Sequence, residues 1–267
     1  MHNIFEHTID YIRFLKSNGK YAFTIDDLNR SLIKNSRNIR KDLDRLRAKG
    51  EIMNIRRGFY VIIPDVYRNM GTLPVELYID DLMKYLERKY YVGLYSAAMQ
   101  HGAAHQQPQE FFVIIETPNL RNIKKNQLVI NFSEKGKFPV YGVDQKKTDT
   151  GYMNVSCMEL TFIDLIYFEK ILGGYNRITT ILTELVEGMQ KSKFKEALNN
   201  PFPLSVYQRA GYILENIIHE KKLARIVEER LSKEHYRKIL LAPAGKPNGP
   251  IEKKWKVQVN IKIESDL

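Results

Sequence analysis

The sequence has a single cysteine in 267 residues, Cys157, so it can form neither an internal disulfide nor a thiolate zinc cage. Its longest uninterrupted apolar run is Phe111-Phe112-Val113-Ile114-Ile115, far short of the roughly 20 residues a helix needs to span a bilayer. No charged-then-apolar leader opens the chain, so neither a secretory signal nor a membrane span is expected, and the expected location is the cytoplasm. Nucleotide-binding and acyl-transfer signatures are missing as well. There is no G-x-x-x-x-G-K-[ST] loop, no G-x-G-x-x-G after a strand and no G-x-S-x-G elbow. Asp80 and Asp81 are adjacent and would point apart on a helix. Gly173-Gly174 reads as a turn between helices, and Cys157, ahead of an apolar helix, reads as packed rather than reactive. No catalytic set emerges, so no enzymatic activity, metal or cofactor is expected.

The length corresponds to about two domains at roughly 150 residues each. Apolar residues make up 43% and charged residues 27%, which is ordinary globular usage and excludes wholesale disorder. The 42 Lys and Arg against 31 Asp and Glu leave a net charge of +11. The surplus is uneven. Residues 1–65 hold 13 basic and 8 acidic groups, residues 66–190 hold 13 and 14, and residues 191–267 hold 16 and 9. A polyanionic partner therefore suits both ends better than the middle.

Residues 3–16 carry Ile4, Phe5, Ile9, Ile12 and Phe14 at roughly helical spacing, and Asn18-Gly19 supplies a stop. Thr24-Ile25-Asp26-Asp27 resembles a capping box opening a short helix through Leu28 to Leu32. A third helix runs from Ser36 to a left-handed cap at Gly50. Its apolar residues Ile39, Leu43 and Leu46 fall within about 60° of one another on a helical wheel. The opposite face carries Arg37, Lys41, Asp44 and Arg45, with Asn38 and Arg40 on its flanks. A helix that reads DNA lies in the major groove with its N-terminal residues at base edges, which suits Arg37 and Asn38. Two strand-like runs follow, Glu51–Ile55 and Phe59–Ile63, separated by Arg56-Arg57-Gly58 as a hairpin loop. Helix, helix, basic helix and arginine-tipped hairpin is the order of a winged helix-turn-helix. Ser36, Arg37, Asn38, Arg40, Lys41 and Arg45 on the helix, with Arg56 and Arg57 on the wing, are the expected DNA contacts.

The remainder reads as a larger, mixed, mainly helical body, so the expected class is α+β with domains at 1–68 and 75–267. Residues 75–89 pattern as one amphipathic helix with Leu77, Leu82, Tyr85 and Leu86 inward, and a second helix spans Leu94–Gly102. Strands are expected at Glu110–Glu116 and Gln127–Phe132, joined by a basic stretch with Arg121, Lys124 and Lys125, and a short one around Val140–Val143. Polar sequence then continues through Gly151. Helices are expected over 159–187 (broken at Gly173-Gly174), 191–199, 204–220 and 223–240. Beyond a Pro/Gly-rich stretch at 241–250, Trp255–Ile261 alternates as a strand or extended arm. His101 and His105 are spaced as a helical metal pair, but Gly102 weakens the helix and Gln106-Gln107-Pro108 reads as loop. Structural, hydrogen-bonded histidines are the expectation.

Four segments resemble one family, the AbiEi-type antitoxins: SRNIRKDLDRLRAKGEIMNIRRGFYVIIP, YYVGLYSAAMQHGAAHQQPQEFFVII, VSCMELTFIDLIYFEK and WKVQVNIKIESDL. The resemblance covers nearly the whole chain. It implies a winged-helix domain that represses its own operon by binding its promoter. It also implies a C-terminal domain that counters a cognate nucleotidyltransferase toxin, in a type IV toxin–antitoxin and phage-defence system without a stable toxin complex. A competing reading is a metabolite-sensing winged-helix regulator without a toxin partner, its ligand lined by Tyr95, His101 and His105. An enzyme acting on nucleic acid is disfavoured by the missing metal-carboxylate and phosphate-loop motifs.

Overall fold

The computed structural model describes residues 4–33, 36–103 and 110–263; His105 and residues 264–267 of the terminal segment lie outside them. The protein is α+β, with ten α-helices and twelve strands among the described residues. Two compact units divide the chain. One comprises Met1–Tyr90, Gln109–Glu134 and Gln145–Asn154, the other Tyr91–Pro108, Lys135–Asp144 and Val155–Leu267.

The first unit opens with α1 (Thr8–Ser17), β1 (Ala22–Thr24), α2 (Ile25–Ser31), α3 (Ser36–Ala48), β2 (Ile52–Arg56) and β3 (Phe59–Ile62). The start of α2 is a full capping box. Asp27 N–H donates to Thr24 Oγ1 (3.0 Å), and Thr24 N–H donates to Asp27 Oδ2 (3.1 Å), so two otherwise orphaned amides are satisfied. Gly19 and Gly50 take left-handed φ of 66° and 68°, ending α1 and α3 where a side chain would be strained. The strands form a sheet in the order β1-β3-β2, antiparallel throughout, with Phe23 opposite Tyr60 and Met53 opposite Val61. Ile39, Leu43 and Leu46 of α3 pack into one cluster with Tyr11, Ile12, Phe23 and Leu28. β1 was not expected: three residues are too few for an alternation to register.

Several boundaries differ from the sequence reading. The first helix starts at Thr8, and Phe5 ahead of it bridges Leu32 instead. The single helix expected over 75–89 is a 3₁₀ turn at Val75–Leu77 followed by α4 (Ile79–Tyr85). The residues buried there are Val75, Tyr78, Ile79, Leu82 and Met83, because the turn rotates the face by tightening the first residues. Strands β4 (Tyr90–Val92), β5 (Phe111–Glu116), β6 (Ile123–Lys125), β7 (Leu128–Lys135), β8 (Val143–Thr148) and β9 (Gly151–Ser156) run in the order β6-β7-β5-β4-β9-β8. The stretch read as a basic connector contains edge strand β6, and the polar stretch before Gly151 is edge strand β8. The expected strand at 140–143 does not form; β8 begins at Val143. Edge strands with charged, exposed faces carry little hydrophobic alternation, and that charge is what keeps such edges from pairing with other chains.

The second unit holds α5 (Leu94–Gln100), α6 (Met158–Tyr167), α7 (Tyr175–Gly188), α8 (Lys191–Ala197), α9 (Leu204–Tyr212), whose continuation Ile213–Ile217 is a π-helical turn, and α10 (Lys221–Leu231). α10 is shorter than the expected 223–240, and Ile239–Leu240 instead form β10. Strands β11 (Ile251–Glu252) and β12 (Val257–Gln258) complete a sheet ordered β10-β12-β11. Of the Trp255–Ile261 segment only two residues are strand, yet it is firmly packed. The Trp255 ring lies where a Cβ on Gly211 would come within 2.1 Å of it, and its Nε1–H donates to Glu215 Oε2 at 2.7 Å.

α6 is the centre of this unit, packing against α5, α7, α8 and α9. Every residue from Glu159 to Ile166 is buried, which identifies a core helix rather than a surface one. Its polar groups are all matched. Gln190 N–H donates to Glu159 Oε1 (2.7 Å), Thr161 Oγ1 meets Ser156 Oγ (2.7 Å), and Asp164 takes Lys135 Nζ (2.8 Å) and the Tyr91 hydroxyl (2.7 Å). The Lys135 and Asp164 side chains are only 3% and 0% exposed, and the Lys135 ammonium lies 3.7 Å from the centre of the Phe202 ring. Burial pushes the Lys135 ammonium below the ordinary lysine range, against the pull of Asp164. Removing one partner strands the other charge, which costs about 3–5 kcal/mol, whereas apolar replacement of both is often near neutral. Asp164→Ala is therefore expected to lower unfolding stability in urea by about that amount, and Asp164→Leu/Lys135→Met by much less. Equal losses in the two variants would show that shape rather than charge governs the site.

Candidate nucleic-acid interface

The packing of α3 sorts its residues into two faces. Ile39, Leu43 and Leu46 are 1%, 2% and 5% exposed, while Arg37, Asn38, Arg40, Lys41 and Arg45 all lie on the exposed side. Ser36 is the first residue of the helix. Asp42, between the faces, accepts from Thr8 Oγ1 at the start of α1 (2.8 Å) and pairs with Arg45 (3.2 Å). It thereby ties the helix to its neighbour and offsets part of the Arg45 charge. Arg47 pairs with Asp44 at 3.3 Å. Among the described residues Arg40 and Lys41 pair with no carboxylate, so their charge is presented outward.

The β2–β3 hairpin is held rigidly at its tip. Gly58 has φ 80°, and a Cβ there would lie 2.5 Å from the Tyr85 hydroxyl, so only glycine fits the turn without displacement. That hydroxyl donates to the Arg57 carbonyl (2.9 Å), and Ile25 N–H donates to the Gly58 carbonyl (2.8 Å). Asn54 Nδ2 donates to the Arg56 carbonyl (2.6 Å) and the Phe59 carbonyl (3.2 Å), spanning the bulge between Asn54 and Arg56. None of these clamps was legible in the sequence, because Asn54 and Tyr85 carry no motif and meet the tip only through the fold.

The two tip arginines are placed differently. Arg57 is exposed, and no carboxylate pairs with it among the described residues. Arg56 is half-buried: its guanidinium donates to the Arg121 carbonyl and lies 5.8 Å from the centre of the Phe132 ring. Burial, then the Arg121 charge, holds the Arg56 guanidinium below its ordinary range. Arg56 thus brings charge to the hairpin with fewer open donors than Arg57.

The groups considered for a small ligand are engaged internally. His101 Nε2 donates to the Ser156 carbonyl (2.7 Å), and the Tyr95 hydroxyl donates to the Leu172 carbonyl (2.9 Å); His105 lies outside the described residues. Cys157 is buried as the cap of α6, and burial pushes its thiol up to about 12, so it is packed and not a thiolate nucleophile. Among the described residues no three His, Cys, Asp or Glu side chains gather as a metal site, and no helix is long and apolar enough to cross a membrane.

The crystal structure of the Rv2827c protein from Mycobacterium tuberculosis is similar in fold. The two match with a TM-score of 0.61 at 13% identity, over 96% of this chain and 92% of that one. No curated protein matches the sequence. Residues 91–216 match the family model of the AbiEi antitoxin C-terminal domain, a stretch that starts at the residue where the second unit begins. That match supports an AbiEi-type antitoxin role, of the kind found in type IV toxin–antitoxin systems, for the part of the chain that it covers.

Proposed function

We propose that the protein is both an antitoxin and a DNA-binding autorepressor. Residues 1–68 act as a winged helix-turn-helix on its own promoter, and residues 75–267 counter a nucleotidyltransferase toxin without a stable complex. The observation that carries the DNA-binding half is the two-faced α3. Its apolar stripe is spent in the core, its cations face outward, and the helix packs on β2 of a hairpin whose arginine tip is clamped in position. In this reading Ser36, Arg37 and Asn38 approach base edges in the major groove, and Arg40, Lys41 and Arg45 line its walls. Arg57 reaches a phosphate or the minor groove, and Arg56 adds charge behind it. The antitoxin half rests on the domain match.

A cation on phosphate weakens binding to all sequences alike when removed, and lowers the slope of log K against log salt by about 1. Arg57→Ala is expected to do this, and an unchanged slope would take the wing out of the interface. A base-reading arginine is instead worth about 1–3 kcal/mol of discrimination. Arg37→Ala should narrow the gap between promoter and random duplex by that much; weaker binding at constant preference would make Arg37 a phosphate contact.

Repression and protection should also separate. The Arg37→Ala/Lys41→Ala variant, expressed from a foreign promoter, is expected to lose repression of a promoter–reporter fusion while still rescuing cells from the toxin. A folded, abundant double variant that fails to rescue would mean that DNA binding and antitoxicity are one activity.

A further inference from the structure

A second basic element, outside the helices and hairpin of the N-terminal module, is fastened to the hairpin. The Arg56 guanidinium donates to the backbone carbonyl of Arg121. Four residues on, Lys125 Nζ donates to both the carbonyl and the side-chain oxygen of Asn54, the residue whose amide braces the tip. Strand β6 packs on β2 as a result. Between these two anchors, Arg121 and Lys124 are exposed, and neither pairs with a carboxylate among the described residues.

The charges gathered here are predominantly positive. Arg121 presses on Arg56, and Arg47 on Lys125, each adding to burial in holding the neighbouring cation below its ordinary range. Of the carboxylates nearby, Asp44 pairs with Arg47, and Glu110 accepts from the neutral Asn131 amide on β7 and forms no ion pair with these cations among the described residues. Cations assembled against their own repulsion, with Arg121 and Lys124 pairing with no carboxylate among the described residues, are matched by a polyanion. The partner they fit is the same duplex that the hairpin meets, because the segment is bonded to the hairpin tip itself.

We infer that residues 121–124 form a second phosphate-contacting element beside the wing, with Arg121 and Lys124 each neutralising one backbone phosphate of the duplex. This rests on the DNA-binding reading above and extends the contact surface beyond residue 68. Lys125 and the Arg121 carbonyl act as positioning groups, fixing the element to the wing. Phosphate contacts carry no sequence information, so the element adds affinity and leaves preference untouched.

The test uses the full chain and two labelled duplexes of equal length, one carrying its own promoter and one scrambled, titrated by fluorescence anisotropy between 50 and 200 mM salt. Arg121→Gln/Lys124→Gln removes two charges from exposed positions and leaves the backbone bond to Arg56 in place. Lys146→Gln/Lys147→Gln removes the same charge from exposed edge strand β8. The first variant is expected to lower the salt slope by about 2, at about 0.9 per phosphate released. It should also weaken both duplexes by the same factor, while the second variant keeps the wild-type slope. Arg121→Glu/Lys124→Glu should weaken both further. A wild-type slope in Arg121→Gln/Lys124→Gln, or an equal fall in the β8 variant, overturns the second element while the DNA reading stands. Failure of the wild-type chain to bind either duplex overturns both.

Discussion

The carboxylate of Asp164 sits on a helix with no face toward solvent, and the second unit is arranged around what it needs. An isolated carboxylate there would be prohibitive, since an unpaired buried charge costs several kcal/mol even after relaxation. Lys135 and Tyr91 supply the partners. They come from segments 29 and 73 residues away along the chain, so one pair of interactions fixes three distant stretches against one another. Glu159 and Thr161 extend the same logic along the helix, meeting Gln190 and Ser156. Apolar packing alone would tolerate a slide or rotation of α6; three polar groups held by specific partners do not. The specificity of the arrangement, more than its net stability, is what such a network contributes.

The first unit obeys a different constraint, which is to present a surface without losing its own order. α3 spends three residues in the core and leaves its long cations outside, and Asp42 holds the helix to α1 through Thr8. The hairpin solves the same problem with backbone bonds. Its tip is fastened by Tyr85, Ile25 and Asn54, leaving the Arg57 side chain as its exposed cation. Gly58 is the residue that makes this possible, since any side chain would collide with the hydroxyl that does the fastening.

Features with local causes were legible in the sequence. The capping box at Thr24, the glycine stop at Gly50, the apolar stripe of α3 and the arginine-tipped hairpin all arise within a few residues. The packed state of Cys157 and the internal hydrogen bond of His101 followed from their neighbours. What escaped depends on pairing at a distance. β6 and β8 are strands because of what lies beside them, and their Lys-rich composition gives no alternation to detect. The amphipathic pattern over 75–89 is divided by the 3₁₀ turn at Val75–Leu77, which changes which residues face inward. Nothing local to Lys135 announces its buried partner 29 residues on. Arg121 and Lys124 were visible as charge and read as a connector, because their attachment to Arg56 and Asn54 exists only in the folded chain.

The fastening of the hairpin tip sets when its disorder is given up. Freezing a backbone residue costs about 1–2 kcal/mol, so three tip residues left free would charge several kcal/mol to each encounter with a partner. Here Gly58, Tyr85 and Asn54 place that cost in the folding reaction, once per molecule. A tip built this way has little capacity to adapt its reach. A duplex whose groove presents its phosphates at another spacing must bend to meet it or go unread, so in the proposed reading part of the selectivity lies in the deformability of the DNA rather than in any base the protein touches.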